Sequence, residues 1–462
     1  MNNPLVDEGI IKKVKHKFGK KDNDDFNMKN GIIRSTLIGM NDWINICAEA
    51  CSCCWDRPIP DDIEGRAEYI AKRSKIGHTS VLEHSNFAIY TSVPVDYSDD
   101  LITFISWCCK YLEYKMFKSY DGTKWHLIIG GSLRGFANII RETEDINNPI
   151  LKSIMNIMHI YANSCAFMDL CNLGLLDKSN FNDTAITDID ADDLILSSYK
   201  ESNDKMDIIA DSLTKFYKRL DVIDEEVAKR LTTFDAIKFV SVTVLFKNMS
   251  RTGTHQLVRH RNAITQESQR YVDYNKAYFS SPDEFKPEKY DSNHKYNVSF
   301  AGGPNQSLTL KEIGEAECAL YRMLSKDSLA ANCKLLKEDA RAFLPGNVQC
   351  KRIYMTFTYK NLFKFLYLRE DKAAQAEIRS YALKLGEWFR KTIPMGKEMI
   401  DTYANIPRLC MDNPIVIDDV SYTDEVLPDH LEEDAYIKAI GLDKDEEDRE
   451  DENRETSKEN EV

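Results

Sequence analysis

Hydrophobic and polar positions alternate along Val240 to Phe246, with Val240, Val242, Val244 and Phe246 on one side and Ser241, Thr243 and Leu245 on the other. Period two marks a strand with one face buried. The same alternation puts Phe87, Ile89, Thr91 and Val93 on one face of a second strand, and Ile353, Met355, Phe357 and Tyr359 on one face of a third, Arg352 to Tyr359. Elsewhere the spacing is helical. Trp43, Ile44, Cys47, Ala48 and Cys51 predict a helix over Ile32 to Trp55, stopped by Arg57 to Pro60. Leu101, Phe104, Trp107, Cys108 and Tyr111 predict another, and Leu308 to Ala331 a further one. Leu362 to Arg390 reads as one long amphipathic helix with Leu362, Phe365, Leu366, Ala373, Ala376 and Leu385 near one face.

Polar, turn-rich stretches divide the chain. Residues 1–30 read as a flexible basic arm, 31–95 as the first part of the main domain, and 96–237 as a mostly helical insertion. Within that insertion the Asp-, Ser- and Asn-rich span Asp177 to Asp204 is expected to loop into solvent. Residues 238–422 form the second part of the domain, and 423–462, ending DKDEEDREDENRETSKENEV, an acidic, disordered tail. Tyr271 to Gln306 is a Pro-, Asn- and Ser-rich loop long enough to cover a site.

Composition narrows the class. A chain of 462 residues can bury a large core. Its net charge of -14 argues against a nucleic-acid binder working through bulk electrostatics. The polar start, MNNPLVDEGIIKKVKHKFGKK, has no secretory apolar core, and no apolar run approaches the ~20 residues that span a bilayer. A soluble, cytoplasmic protein with reduced thiols is expected. Of the 12 cysteines, Cys51, Cys53 and Cys54 crowd together without zinc-finger spacing and read as helix-packing residues.

Candidate chemistry concentrates between Arg251 and Tyr271, RTGTHQLVRHRNAITQESQRY, directly after the Val240 strand. If this segment is extended, Arg259 and Arg261 point one way and His260 the other. Guanidinium groups hold phosphates through a rigid fork of donors, so the pair suits a phosphorylated ligand. Glu267, Ser268, Gln269 and Arg270 add an acceptor, a hydroxyl, an amide and another guanidinium. A lone RHR is most often an exposed basic tripeptide.

The block as a whole resembles the signature of the flavin-dependent thymidylate synthases, in which RHR precedes Ser-x-Arg-Tyr, here Ser268, Gln269, Arg270 and Tyr271. Three further stretches are similar to that family in the same order: GHTSVLEH (Gly77 to His84), EDARAFLP (Glu338 to Pro345) and FKFLYLREDKAAQAEIRSYA with Leu368 and Arg369. The resemblance spans roughly residues 30 to 400. It implies an α+β fold, a central antiparallel-rich sheet flanked by helices, and a homotetramer with active sites at subunit junctions. It also implies conversion of dUMP to dTMP with methylenetetrahydrofolate as carbon donor, FAD as the flavin and NADPH as reductant, with no metal.

The resemblance assigns roles residue by residue. Arg369 is expected against the uracil ring, where a fixed cation stabilises developing charge, and Ser268 is expected to orient the substrate. Gln256, Arg259, Glu267, Gln269, Arg270 and Arg341 are the further nucleotide contacts. His84, Asn86, Arg259, His260, Arg261, Glu267, Lys360 and Lys364 are expected at the flavin. The segment Gly130, Gly131, Arg134, Phe136 reads equally as a family element and as a plain strand-turn-helix joint.

Two departures stand out. Asn262 to Glu267 is one residue shorter than the family's spacing from RHR to the serine, and Thr358, Lys360 and Lys364 replace an Asn-x-Arg and a later Asn. A lysine replaces an arginine as a point charge but not as a fork. The alternatives are a flavin- or nucleotide-binding relative that has lost turnover, and an RNA- or DNA-binding module built on the arginine-rich block with Tyr271 and Tyr274.

Overall fold

Antiparallel strands and capped helices build an α+β architecture around two main sheets. The structure, a computed structural model, describes residues 27–28, 31–143, 147–161, 199–202, 204–210, 216, 219–220, 223–260, 262–274, 278–299, 302–326, 336–393 and 396–403. All of them belong to one unit, Met1–Pro414. Most of the expected basic arm, the span 162–198 and the whole acidic tail lie outside the described residues.

Strands β1 (Asn27–Met28) and β2 (Gly31–Ile32) pair in a short hairpin. Strands β3 (Arg34–Met40), β4 (Phe87–Pro94), β5 (Glu113–Lys118) and β6 (Lys124–Gly131) form a four-stranded sheet in the order β3-β4-β6-β5. The five-stranded sheet uses β7 (Tyr199–Ser202), β8 (Met206–Ala210), β9 (Ser241–Ser250), β10 (Ala263–Gln266) and, after the small pair β11 (Tyr296–Val298) and β12 (Gln306–Leu308), β13 (Gln349–Thr358). Its order is β10-β13-β9-β8-β7.

The first helices are α1 (Trp43–Trp55), α2 (Ile63–Lys75), α3 (Ser98–Cys108), α4 (Leu133–Glu142) and α5 (Pro149–Tyr161). The short helices α6 (Glu225–Arg230), α7 (Thr233–Ala236), α8 (Arg251–Leu257) and α9 (Pro282–Phe285) follow. The last are α10 (Leu310–Lys326), α11 (Lys337–Ala340), α12 (Tyr359–Glu370), α13 (Ala376–Thr392) and α14 (Gly396–Tyr403).

The period-two faces sort into two cores. Phe87, Ile89 and Val93 of β4 pack with Trp43 and Cys47 of α1, Phe104 of α3, Phe136 of α4 and Ile154 of α5. Ala88 and Tyr90, on the opposite face, join a second core with Val242, Val244, Phe246, Ile353, Met355 and Phe357 and with the buried sides of α12 and α13. Between 96 and 237 the chain supplies strands β5 to β8 as well as helices, so that this span is woven into both sheets.

Several sequence expectations are corrected. The helix expected over Ile32 to Trp55 is strand β3 followed by α1. Leu37 and Ile38 are both buried because β3 is covered on two faces, and a short apolar run of that kind has no readable period. The single helix expected over Leu362 to Arg390 is two, α12 and α13. The Asp371 carboxylate accepts from the Ala373 backbone N–H at 2.7 Å, and Glu370 receives both terminal nitrogens of Arg390 from the returning helix. Tyr199–Ser202, expected in a solvent loop, is the edge strand β7. Of the three clustered cysteines, Cys51 and Cys53 are buried in the packing of α1 as expected, while Cys54 is half-buried; burial pushes the Cys51 thiol up to about 12. The Gly130–Phe136 segment is a strand-turn-helix joint capped by Ser132, whose hydroxyl accepts from Gly135 N at 3.1 Å. A side chain at Gly130 would meet Phe239 at 2.7 Å.

Candidate functional site

The RHR segment is delivered by a helix end, which corrects the expectation of an extended chain. Ser250 closes β9 and caps α8, its hydroxyl accepting from Gly253 N at 2.9 Å. The helix tightens into a 3-10 turn, Val258–His260, leaving Arg259 exposed and His260 half-buried. Arg261 lies outside the described residues.

Helix α12, capped by Thr358, presents Phe365 and Arg369 one turn apart on one face. The Phe365 ring meets the His260 ring edge-on at 4.9 Å, and Arg369 Nε donates to His260 Nε2 at 2.8 Å. The imidazole is therefore neutral, with its proton on Nδ1. Burial, with Arg369 and Lys364 nearby, pushes His260 down to about 4, and burial together with Arg259 lowers Arg369. Arg259, His260, Lys364 and Arg369 thus form one partly desolvated cationic group, drawn from motifs 109 residues apart.

A second group lies at the other end of β10, whose four residues separate the two by roughly 13 Å along the strand. Here the Ser268 hydroxyl accepts from Arg270 N at 3.2 Å, which closes a turn. Arg270 donates through Nε and a terminal nitrogen to Glu338, at 3.1 and 3.0 Å, and Arg341 Nε donates to the Glu338 backbone carbonyl at 3.1 Å. Gln269 is half-buried in the same turn, and Gln256 is half-buried on α8. Glu267 is buried, accepting from Lys351 N at 2.9 Å and the Tyr274 hydroxyl at 3.3 Å, so its carboxylate fastens the turn.

Beside this turn runs a ladder that sequence reading missed. Arg73 lies over Trp55 at 4.8 Å and over Tyr69 at 5.2 Å. Trp55 meets Tyr271 at 6.1 Å and His78 edge-on at 4.5 Å, and Arg270 lies over Tyr271 at 5.5 Å. Its sequence signal is His78, the first histidine of GHTSVLEH, two residues before the serine.

That second histidine, His84, is fully buried. Its Nδ1 and Nε2 each lie 3.0 Å from a threonine hydroxyl, Thr356 and Thr265. Burial pushes it down to about 3. Both ring nitrogens are spent on β13 and β10, and His84 supports the strand that links the two groups. Asn86 is buried next to it and leaves Oδ1 without a partner. Lys360 is turned away from the His260 group: its Nζ meets Glu113 Oε1 of β5 at 2.8 Å, and the side chain is 14% exposed.

Comparison with known proteins bears on this geometry. Residues 190–395 match the family model described as thymidylate synthase complementing protein, a span that holds both groups but not His84. The flavin-dependent thymidylate synthase of Clostridium tetani is 30% identical over 181 residues, covering 38% of this chain and 70% of that protein. The chain belongs to the flavin-dependent thymidylate synthase family. The synthase of Sulfolobus acidocaldarius is 26% identical over 245 residues, 49% of this chain and 84% of its own length. That of Thermococcus onnurineus is 34% identical over 148 residues, and this chain spans 53% of it. Among the described residues no helix is long and apolar enough to cross a membrane.

Proposed function

We propose that the protein is a flavin-dependent thymidylate synthase, converting dUMP to dTMP with methylenetetrahydrofolate as carbon donor, FAD as the bound flavin and NADPH as its reductant. The observation that carries this reading is the meeting of His260 and Arg369, two family motifs that close into one cationic, half-buried group.

The donor set fits a flavin dinucleotide in part. Arg259 and Lys364 supply positive charge for a pyrophosphate, and the orphaned Oδ1 of buried Asn86 is an acceptor still to be filled. Lys360 and His84 do not fit as direct contacts, since Glu113 and the two threonines hold them. When bound, the flavin supplies the hydride that completes the methyl group.

The chain's own residues do the remaining work. Neutral His260 holds Arg369 by its Nε, leaving the terminal nitrogens of the guanidinium to face a pyrimidine and stabilise charge as it develops there. Arg270 and Arg341 offer donors to a phosphate, and the Ser268 turn orients the sugar and base between them. Ser268 acts as a binding hydroxyl, its Oγ already engaged by Arg270 N. The two groups serve neighbouring parts of sites completed at subunit junctions of a homotetramer.

The test is a visible spectrum of the purified protein, followed by anaerobic reduction with NADPH and tritium release from dUMP labelled at position 5. A flavin spectrum with release dependent on methylenetetrahydrofolate supports the reading. A protein that binds FAD and dUMP without release would instead be a relative without turnover.

A further inference from the structure

Glu377 is a buried carboxylate that the proposed chemistry leaves without a role. It sits in the first turn of α13, 5% exposed, and points away from its own helix onto the start of α8. Its Oε1 accepts from Ser250 N at 2.7 Å and its Oε2 from the Ser250 hydroxyl, which in turn accepts from Gly253 N. A side chain at Gly253 would come within 2.9 Å of Glu377 Oε2, so the glycine lets the carboxylate reach the helix end.

The hairpin α12–α13 therefore holds the RHR element at both ends. Glu377 of α13 grips Ser250 at its start, and Arg369 of α12 grips His260 at its finish. The turn Asp371–Gln375 fixes the two grips relative to each other, stiffened by the Glu370–Arg390 pair and by Arg379 Nε donating to the Glu370 carbonyl at 3.0 Å.

We propose that Glu377 is a positioning residue, which sets the placement of α8 so that His260 and Arg259 meet Arg369 and Lys364. Its consequence for catalysis rests on the synthase reading; its consequence for the His260–Arg369 contact does not. Without the carboxylate, the Ser250 N–H and hydroxyl lose their acceptor; Arg251 N and Thr252 N still donate to the Val348 and Gly346 carbonyls at 3.0 Å each, but the clamp from α13 is gone and the placement of α8 against α12 loosens. The cationic group then opens and His260 gains water.

The experiment uses the full chain with 13C-labelled histidine, the His260 signal assigned by its loss in His260→Asn. In the unaltered protein, burial and the neighbouring Arg369 and Lys364 are expected to hold the His260 titration down at about 4. Glu377→Ala is expected to move that titration up by at least about one pH unit toward the ordinary value and to weaken FAD binding roughly tenfold, since small misplacements of binding groups cost that much. Glu377→Gln, which keeps an acceptor for Ser250 N and a polar partner for its hydroxyl, is expected to restore both to within about threefold.

Ser132→Ala removes a helix cap of the same kind at α4, and should lower Tm comparably while leaving the His260 titration in place. A folded Glu377→Ala protein with an unchanged His260 titration overturns the proposal. If that variant does not fold, Ser250→Ala, which keeps the backbone N–H bond to Glu377, should give a smaller shift in the same direction, and no shift overturns it. If the unaltered protein binds no FAD, the synthase reading fails while the titration still decides the role of Glu377.

Discussion

The two groups at the ends of β10 handle positive charge in opposite ways. Around His260, Arg369 is lowered by burial and by Arg259, and its acceptor is a neutral imidazole rather than a carboxylate. Around Ser268, the Arg270 charge is matched by Glu338 and both side chains are about half exposed. A cation desolvated among other cations is poised for an anion, because the cost of its burial is offset only when negative charge arrives or develops. A cation already paired must exchange one acceptor for another, so its net gain from a ligand is small. Under the proposed synthase reading, the first group would carry chemistry and the second recognition.

The largest effect that would break this contrast is Arg369→Ala. Loss of one fixed donor at the reacting ring is expected to lower kcat by about 10²–10³, read as tritium release per bound flavin; a loss confined to KM would move the residue to recognition. Next is the support beneath both groups. His84→Leu takes the imidazole from the buried Thr265 and Thr356 hydroxyls, leaving Thr356 with Thr243 at 2.8 Å, and should cost roughly 1–3 kcal/mol of stability by denaturant unfolding.

His84 also makes a signed pH prediction. Its folded value of about 3 lies below the ordinary 6.5, so between those limits the unfolded chain binds the proton and the folded chain does not. Stability is full above 6.5 and falls as pH drops through the window, by up to about 1.4 kcal/mol per pH unit. His84→Leu should flatten that slope, measured as Tm against pH. His260, with its folded value near 4, adds a second, weaker contribution of the same sign.

Smaller effects sharpen the contrast. Lys364→Met should weaken FAD roughly tenfold, while Lys360→Met should leave FAD affinity nearly unchanged, since its charge is taken by Glu113. A similar loss in both would return Lys360 to the flavin. Smallest is Glu338→Gln, which frees Arg270 and should raise affinity for inorganic phosphate up to about fivefold, read by calorimetry. A fall would make Glu338 part of the binding surface.

Much of this was legible where local pattern and tertiary setting agree. The alternations at Phe87 to Val93, Val240 to Phe246 and Ile353 to Phe357 became strands, because one face of each meets a helix-lined core. Of the residues those motifs singled out, the fold brings His260 and Arg369 into contact, with Lys364 and Arg259 close by. Elsewhere the competing term was tertiary. Leu37 and Ile38 are buried on two faces and lose their period. Nothing like Pro or Gly marks Asp371 to Gln375; that break is made by a side chain catching Ala373 N–H and by an ion pair to Arg390. Between the two histidines of GHTSVLEH, spacing could not tell the core residue from the one against Trp55, since that depends on strands far along the chain.

The hydrogen bonds of His84 reach across 181 and 272 residues of chain. On the ribosome, then, the first sheet emerges with an imidazole already placed and nothing to receive it until β10 and β13 have been made. Loop closure over such separations is slow, and the apolar face of β4 stays exposed for as long as it takes. The joint made by His84 is thus expected to form late in synthesis, and a chain stalled before Thr356 should aggregate more readily than the full chain.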